Sequence, residues 1–290
     1  MAEVTNICVF GLGEAGSLLA SDLLVAGAEV SAYDPAEVAT PDGVMRYVHP
    51  ALAVRNADVV LGLTSGSDAR LALLQSLEAI GLETVYADLS TGSPQMKTEL
   101  AGFAGSRDIP FADVALMAIV PGNGIATPSL AAGTGADQYC RIVNELGGQV
   151  DAIDGPSGTA AAKKLLRSVM MKGTAAVLVE AIKAGAAFDD LEWLWSNLGT
   201  EISEADERWL RRLVVGSKTH ARRRMQEMEE AVAMLNELDT PSVMTAATVA
   251  SLAQLVDGEL PDLPGSPDPA DLGPELEMVD EEEAPEGPEH

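Results

Sequence analysis

The sequence predicts an α/β fold: a doubly wound parallel sheet followed by an all-helical second domain and a disordered acidic tail. Three observations predict it. Short apolar runs alternate with helical patterns up to Gly158, which is how parallel strands joined by crossover helices read. Beyond Gly158 strand signals stop and five helical segments succeed them. From Asp257 onward there are 13 acidic residues, no Lys or Arg, and seven of the 16 prolines.

Taken in order, strands are expected at 7–10, 28–33, 58–63, 84–88, 109–114 and 149–153. The turn Gly155-Pro156-Ser157-Gly158 ends the last of them, and Ser157 is placed to cap the next helix. Helices are expected at 159–188, 189–200, 203–217, 219–238 and 241–256. The first contains no proline, and about 30 residues of helix make roughly 45 Å, a length that suits a connector through a domain or subunit interface. The expected domains are thus 1–157, 158–256 and a tail at 257–290. The tail has no apolar period and repels itself, so burial does not offset the entropy of ordering it.

Composition excludes several function classes. The chain has 290 residues, 47% hydrophobic, enough for a sizeable core. Its 45 acidic and 18 basic residues give a formal charge of -27, which repels phosphate backbones and anionic membranes. Without the tail, 32 acids still face 18 bases. No nucleic-acid or membrane partner is therefore expected. The two cysteines, Cys8 and Cys140, have no metal-type Cys/His spacing around them, so neither a disulfide framework nor a metal site is expected. Residues 1–6 lack a basic n-region, and no apolar run approaches the roughly 18 residues of a membrane span. A cytoplasmic protein is the expectation.

The first strand runs into Gly11-Leu12-Gly13-Glu14-Ala15-Gly16, and a helical pattern continues from Ser17. This is G-x-G-x-x-G between a strand and a helix, the Rossmann-type fingerprint for a dinucleotide. Gly11 permits the tight turn, Gly13 lets a pyrophosphate approach the backbone, and Gly16 allows close helix-to-strand packing. The helix start at Glu14 and Ala15 offers unpaired N–H groups to the phosphates. The second strand ends at Asp34, an acid suited to a ribose diol and repulsive to a 2'-phosphate. NAD is therefore expected, with NADP left open because Arg46 lies within folding reach; a simple turn-capping role is the competing reading of Asp34. Thr64, Ser65, Ser90 and Thr91 come after later strands at the edge where such sheets bind ligands, although Ser65 and Ser90 also suit local caps.

Only six lysines occur, yet Lys163, Lys164 and Lys172 lie within ten residues of an otherwise Ala/Leu/Met/Val-rich helix. At 100° per residue Lys164, Arg167, Ser168, Met171 and Lys172 lie on one face. A salt-bridged surface stripe produces the same pattern.

Together the GLGEAG loop, the Asp88-Leu89-Ser90-Thr91-Gly92-Ser93-Pro94 stretch, the Asp113 strand and the Gly158 to Gly173 helix resemble the beta-hydroxyacid dehydrogenase family, which includes 3-hydroxyisobutyrate and 6-phosphogluconate dehydrogenases. The later Ala-Arg-Arg-Arg-Met-Gln-Glu-Met is similar to a branch with its own carboxyl-terminal helical domain. The resemblance implies a catalytic lysine on the long helix with an amide residue one turn later, a place that Ser168 takes here. Lys164 and Ser168 match best, with Lys163 as the fallback because adjacent lysines leave the register open. The lysine would take the substrate hydroxyl proton as hydride passes to the nicotinamide. A lysine does this near neutrality only where burial or nearby cations disfavour its charged form, and Arg167 and Lys172 share its face.

The family's Ser-Gly-Gly substrate grip reads here Met117-Ala118-Ile119, so the usual backbone hold on a carboxylate is lost or moved. Met117, Arg167, Lys172 and Arg223 are the expected substrate contacts, with Arg222 and Arg224 beside the last, since guanidinium groups bind carboxylates in fork geometry. Pairing of these arginines with Glu227, Glu229 and Glu230 is the surface alternative. The expected protein is an NAD(P)-dependent oxidoreductase of a small hydroxy acid or its carbonyl counterpart, a homodimer through its helical domain. An imine reductase or reductive aminase, and a noncatalytic dinucleotide sensor, are the alternatives. His220 and the tryptophans 193, 195 and 209 are weaker candidates, read as structural.

Overall fold

The computed structural model describes residues 4–265; all of the acidic segment beyond 265 lies outside the described residues. Backbone contacts divide the chain into two units that meet in sequence at Val169 and Met170.

The first unit is built on eight strands: β1 (Asn6–Phe10), β2 (Glu29–Tyr33), β3 (Met45–Arg46), β4 (Val59–Gly62), β5 (Val85–Asp88), β6 (Phe111–Leu116), β7 (Ser129–Ala132) and β8 (Val150–Ala152). They lie in the order β3-β2-β1-β4-β5-β6-β7-β8. β1 to β6 are mutually parallel, and all six strands expected from the sequence are present. β3 and β7 were not expected. β7 pairs antiparallel with β6, Asp113 opposite Ala132, and parallel with β8.

The helices of this unit are α1 (Glu14–Val25), the short α2 (Pro50–Ala53), α3 (Ala69–Ser76), α4 (Pro94–Gly105) and α5 (Ala136–Glu145). Every residue of β4 and β5 is buried, because helices cover both sheet faces. Alternation along β1 sorts the core. Ile7 and Val9 pack with Leu19 and Leu23 of α1 and Tyr139 and Val143 of α5, while Cys8 and Phe10 pack with Leu73 of α3 and Leu100 of α4. Truncating a fully buried leucine such as Leu23 costs about 2–5 kcal/mol.

α6 (Thr159–Ala187) crosses the division, its first eleven residues belonging to the first unit. α7 (Leu191–Ser203), α8 (Glu207–Thr219), α9 (Ala221–Glu237) and α10 (Val243–Asp257) come after it. The expected five helices are all present, each within a few residues. In the second unit Asp206 caps α8 by accepting from Trp209 N at 2.8 Å. Glu180 on α6 caps α10, accepting from the N–H groups of Met244 and Thr245 at 2.8 Å and from the Thr245 hydroxyl at 2.6 Å. Among its described residues this unit buries only Gly216, Ala221, Leu235 and Leu252. Phe188, Trp193 and Trp195 stay 63%, 62% and 66% exposed. No described helix is long and apolar enough to cross a membrane.

Candidate dinucleotide and lysine site

The three fingerprint glycines differ in what surrounds them. Gly11 has φ +91°, and a Cβ there would lie 2.7 Å from the Leu63 carbonyl oxygen. At Gly16 a Cβ would lie 1.8 Å from the Gly11 oxygen, so helix and loop touch through bare backbone. A Cβ on Gly13 would meet nothing within 4 Å. Gly13 therefore borders open space at the start of α1, whose first turn has no side-chain cap. A bare helix N-terminus beside a bare glycine fits a pyrophosphate, which the N–H groups of Glu14 and Ala15 would hold. The Leu12 side chain is 2% exposed and packs in the core.

The Asp34 carboxylate uses both oxygens locally. Oδ2 accepts from Leu12 N at 2.7 Å and Oδ1 from Ala36 N at 2.8 Å. Each oxygen keeps acceptor capacity for a hydroxyl. Arg46 does fold back, but onto the backbone: Nη2 donates to Asp34 O at 2.9 Å and Ala36 O at 2.5 Å, and Nη1 to Val38 O at 2.6 Å. Its two terminal nitrogens are thus engaged by the loop itself. Asp34, Gly11, Gly13, Thr64 and Ser65 line a cleft of about 360 Å3, walled by Leu71 and Gln75 of α3. Ser65 Oγ donates to Asp68 Oδ2 at 2.6 Å, which orders the loop before α3.

At the end of β5, Ser90 turns inward, 5% exposed, its hydroxyl donating to Asp88 Oδ2 at 2.9 Å. Thr91 is exposed, and its Oγ1 accepts from Lys164 Nζ at 3.4 Å. Lys164 is half-buried and Lys163 exposed, so of the adjacent pair Lys164 is the one turned to the β5 loop. Ser168 is half-buried one turn on. Arg167 Nη1 donates to the Met117 carbonyl, which joins two expected substrate residues directly. Lys172 and Arg223 belong to the second unit, where both are exposed and Arg223 Nε lies 3.9 Å from Glu227 Oε1. Arg224 Nη1 donates to Ser217 Oγ at 2.9 Å. Among the described residues no cluster of three or more His, Cys, Asp or Glu is arranged to hold a metal.

Sequence reasoning missed Lys97. This α4 side chain is 1% exposed, with Nζ 2.6 Å from Asp88 Oδ2, 2.8 Å from Asp88 O and 3.6 Å from Asp113 Oδ1. Asp88 and Asp113, both fully buried, are register partners on β5 and β6. Burial pushes the Asp88 carboxyl above the ordinary carboxylate range, although Lys97 and Ser90 pull it back. Removing the lysine would leave two unpaired buried acids, and breaking such a group typically costs about 3–5 kcal/mol. The available signal was Asp113 itself, an acid inside the apolar run Phe111-Ala112-Asp113-Val114-Ala115-Leu116, which demands a buried partner.

The fold and the glycine loop define a dinucleotide-binding protein. Residues 6–142 match the family described as the NAD binding domain of 6-phosphogluconate dehydrogenase, and residues 187–255 match a Domain of unknown function (DUF1932). The two matches together are similar in arrangement to the beta-hydroxyacid dehydrogenase family, with the second domain following the NAD binding domain toward the carboxyl terminus. The chain is 25% identical over 202 residues to a 3-hydroxyisobutyrate dehydrogenase of Pseudomonas aeruginosa, covering 63% of this chain and 66% of that one, just under two thirds of the relative's length. Among solved structures, a conserved hypothetical protein from Sinorhizobium meliloti 1021 is 27% identical with a TM-score of 0.58, covering 90% of this chain and 92% of the other. An imine reductase variant from Myxococcus stipitatus in complex with NAD+ has a TM-score of 0.75 at 17% identity, covering 88% and 94%, and so shares the fold.

Proposed function

We propose that the protein is an NAD(P)-dependent oxidoreductase acting on the CH–OH group of a small hydroxy acid or on its carbonyl counterpart, with Lys164 as the proton-transferring group. The observation that carries this reading is the 3.4 Å hydrogen bond from Lys164 Nζ to Thr91 Oγ1. It puts an amine at the carboxyl end of β5, the sheet edge to which the glycine loop also belongs, where open parallel sheets bind their ligands.

The nicotinamide cofactor supplies the hydride acceptor or donor when bound. Gly11, Gly13 and the first turn of α1 would hold its pyrophosphate, and Asp34 its adenosine ribose. Lys164 would take the hydroxyl proton in oxidation and return it in reduction. Ser168 would orient the amine or the substrate. Arg167, tethered by one donor to the Met117 carbonyl, would present its remaining donors to a carboxylate in place of the missing Ser-Gly-Gly grip.

This reading assigns dinucleotide binding to 1–157 and substrate contacts and assembly to 158–256. The small core of the second unit and its large exposed apolar side chains Phe188, Trp193 and Trp195 favour a second copy of the chain as their cover.

The test is the change in reduced nicotinamide with purified protein, NAD and NADP in parallel, against hydroxy acids, their semialdehydes and cyclic imines. Turnover of a hydroxy acid, reduced about 100- to 10,000-fold in Lys164→Ala with NADH binding retained, is expected. Turnover of imines alone rejects the CH–OH assignment, and an active Lys164→Ala rejects the lysine.

A further inference from the structure

We infer that Lys97 is a positioning residue for this reaction: by holding Asp88 and Asp113 side by side, it fixes where α6 starts and so sets the reach of Lys164. The inference rests on the reading of Lys164 as the proton-transferring group. Lys97 touches neither the substrate side nor the glycine loop. It acts through a closed path of contacts, all within the first unit.

The path begins with Lys97 Nζ, 2.6 Å from Asp88 Oδ2 and 3.6 Å from Asp113 Oδ1. The other Asp113 oxygen, Oδ2, accepts from Gly158 N at 2.9 Å and Ala161 N at 3.1 Å, the amides that open α6. A carboxylate across a helix N-terminus satisfies orphan donors and is favoured by the helix dipole, so the helix starts where the carboxylate is. From Ala161 the helix runs one turn to Lys164, which reaches Thr91, three residues beyond Asp88. Asp88, the third member of the buried group, receives the Ser90 hydroxyl at 2.9 Å and so fixes the same loop from inside.

Two further contacts bind α4 to the start of α6. Thr98 Oγ1 donates to Ser157 O at 3.0 Å, and Gly158, at φ +105°, lies so close that a Cβ would stand 2.7 Å from Pro94 O. α4 and the first turn of α6 are thus one packed block with Lys97 at its centre. Two register-paired carboxylates repel each other without a cation between them. In its absence Asp113 has reason to move or to take a proton, and the helix start moves with it.

The test uses the full chain and two readouts. Lys97→Met is expected to lower kcat about 10- to 100-fold, as loss of near-attack geometry does, with KM and NADH affinity within about twofold. Added to Lys164→Ala, the same change is expected to cost less than about twofold. An equal fractional loss in both backgrounds, or an unchanged kcat, overturns the inference. Amide hydrogen exchange is the second readout. Lys97→Met is expected to lose protection at Gly158 and Ala161 while β1 is unchanged; unaltered protection there overturns the positioning role whatever the activity. Normal turnover by Lys164→Ala defeats the underlying reading instead, and is told apart because exchange still reports on the helix start. Should Lys97→Met fail to fold, Asp113→Asn and Asp113→Ala decide. Asn retains an acceptor for both amides and should keep rate and protection, whereas Ala should lose both; equal behaviour of the two overturns the inference.

Discussion

Asp34 accepts a 2.7 Å hydrogen bond from the backbone N–H of Leu12, so the acid that would read the ribose and the loop that would hold the phosphates are set as one piece. Arg46 completes it by gripping three carbonyl oxygens of the segment 34–38. A guanidinium so engaged is poorly placed to meet a 2'-phosphate.

Asp34→Ala is therefore expected to narrow the preference for NAD over NADP by about tenfold, equivalent to about 1.4 kcal/mol. Dissociation constants for NADH and NADPH, measured by fluorescence on both proteins, check this. Tighter NADPH binding by the unsubstituted protein would contradict the ribose reading.

Gly13 and Gly16 should separate binding from folding. Gly13→Ala adds a methyl into open space, at a residue whose φ of -66° any L-residue adopts, so the melting temperature should hold while NADH affinity falls. Gly16→Ala places its methyl 1.8 Å from a carbonyl oxygen and should destabilise by several kcal/mol or prevent folding. Calorimetry alongside a binding titration distinguishes them; equal thermal losses would show that the loop is not built this way.

Glu180 links stability to pH in the second unit. Burial pushes its carboxyl up, but the bonds from Thr245 and Met244 outweigh that and hold it below its ordinary 4.5. A lowered folded value means that the cap stabilises fully above pH 4.5 and is lost as pH falls through the folded value. Glu180→Gln should cost about 1 kcal/mol at pH 7, with the deficit against the parent shrinking between pH 5 and pH 3. Denaturant midpoints at both ends of that range test it, and a deficit independent of pH would count against an ionised cap.

Much of this was legible in the sequence, for identifiable reasons. Six strands announced themselves through β-branched runs such as Val59-Val60-Leu61, and the helices after Gly158 through period and punctuation. β7 did not, because Ser129-Leu130-Ala131-Ala132 has no β-branched residue; pairing with β6 and β8 makes it a strand. β3, two residues at the sheet edge, carries no pattern of its own. The glycine loop was legible because Gly11 and Gly16 have steric reasons of their own and Gly13 leaves the helix start open. Whether Lys163 or Lys164 faces the β5 loop was not, since adjacent lysines are 100° apart and only the packed helix fixes its rotation. Lys97 stayed hidden because Gln95, Thr98 and Glu99 around it read as a solvated helix face.

The reversal at β7 has a consequence for how this protein can change. A crossover after β6 would have locked the next segment beneath a helix, whereas the chain turns back through 117–128 and pairs with the strand it has just left. That return is held by Asp22 of α1, which accepts from Ile125 N at 2.9 Å, by the buried Val120, and by Arg167, which donates to the Met117 carbonyl. Between Met117 and Val120, Ala118 and Ile119 are exposed. Changes at Ala118 and Ile119 therefore disturb little of the packed sheet, and sequence variation in this stretch is free to alter what the protein grips without altering how it folds.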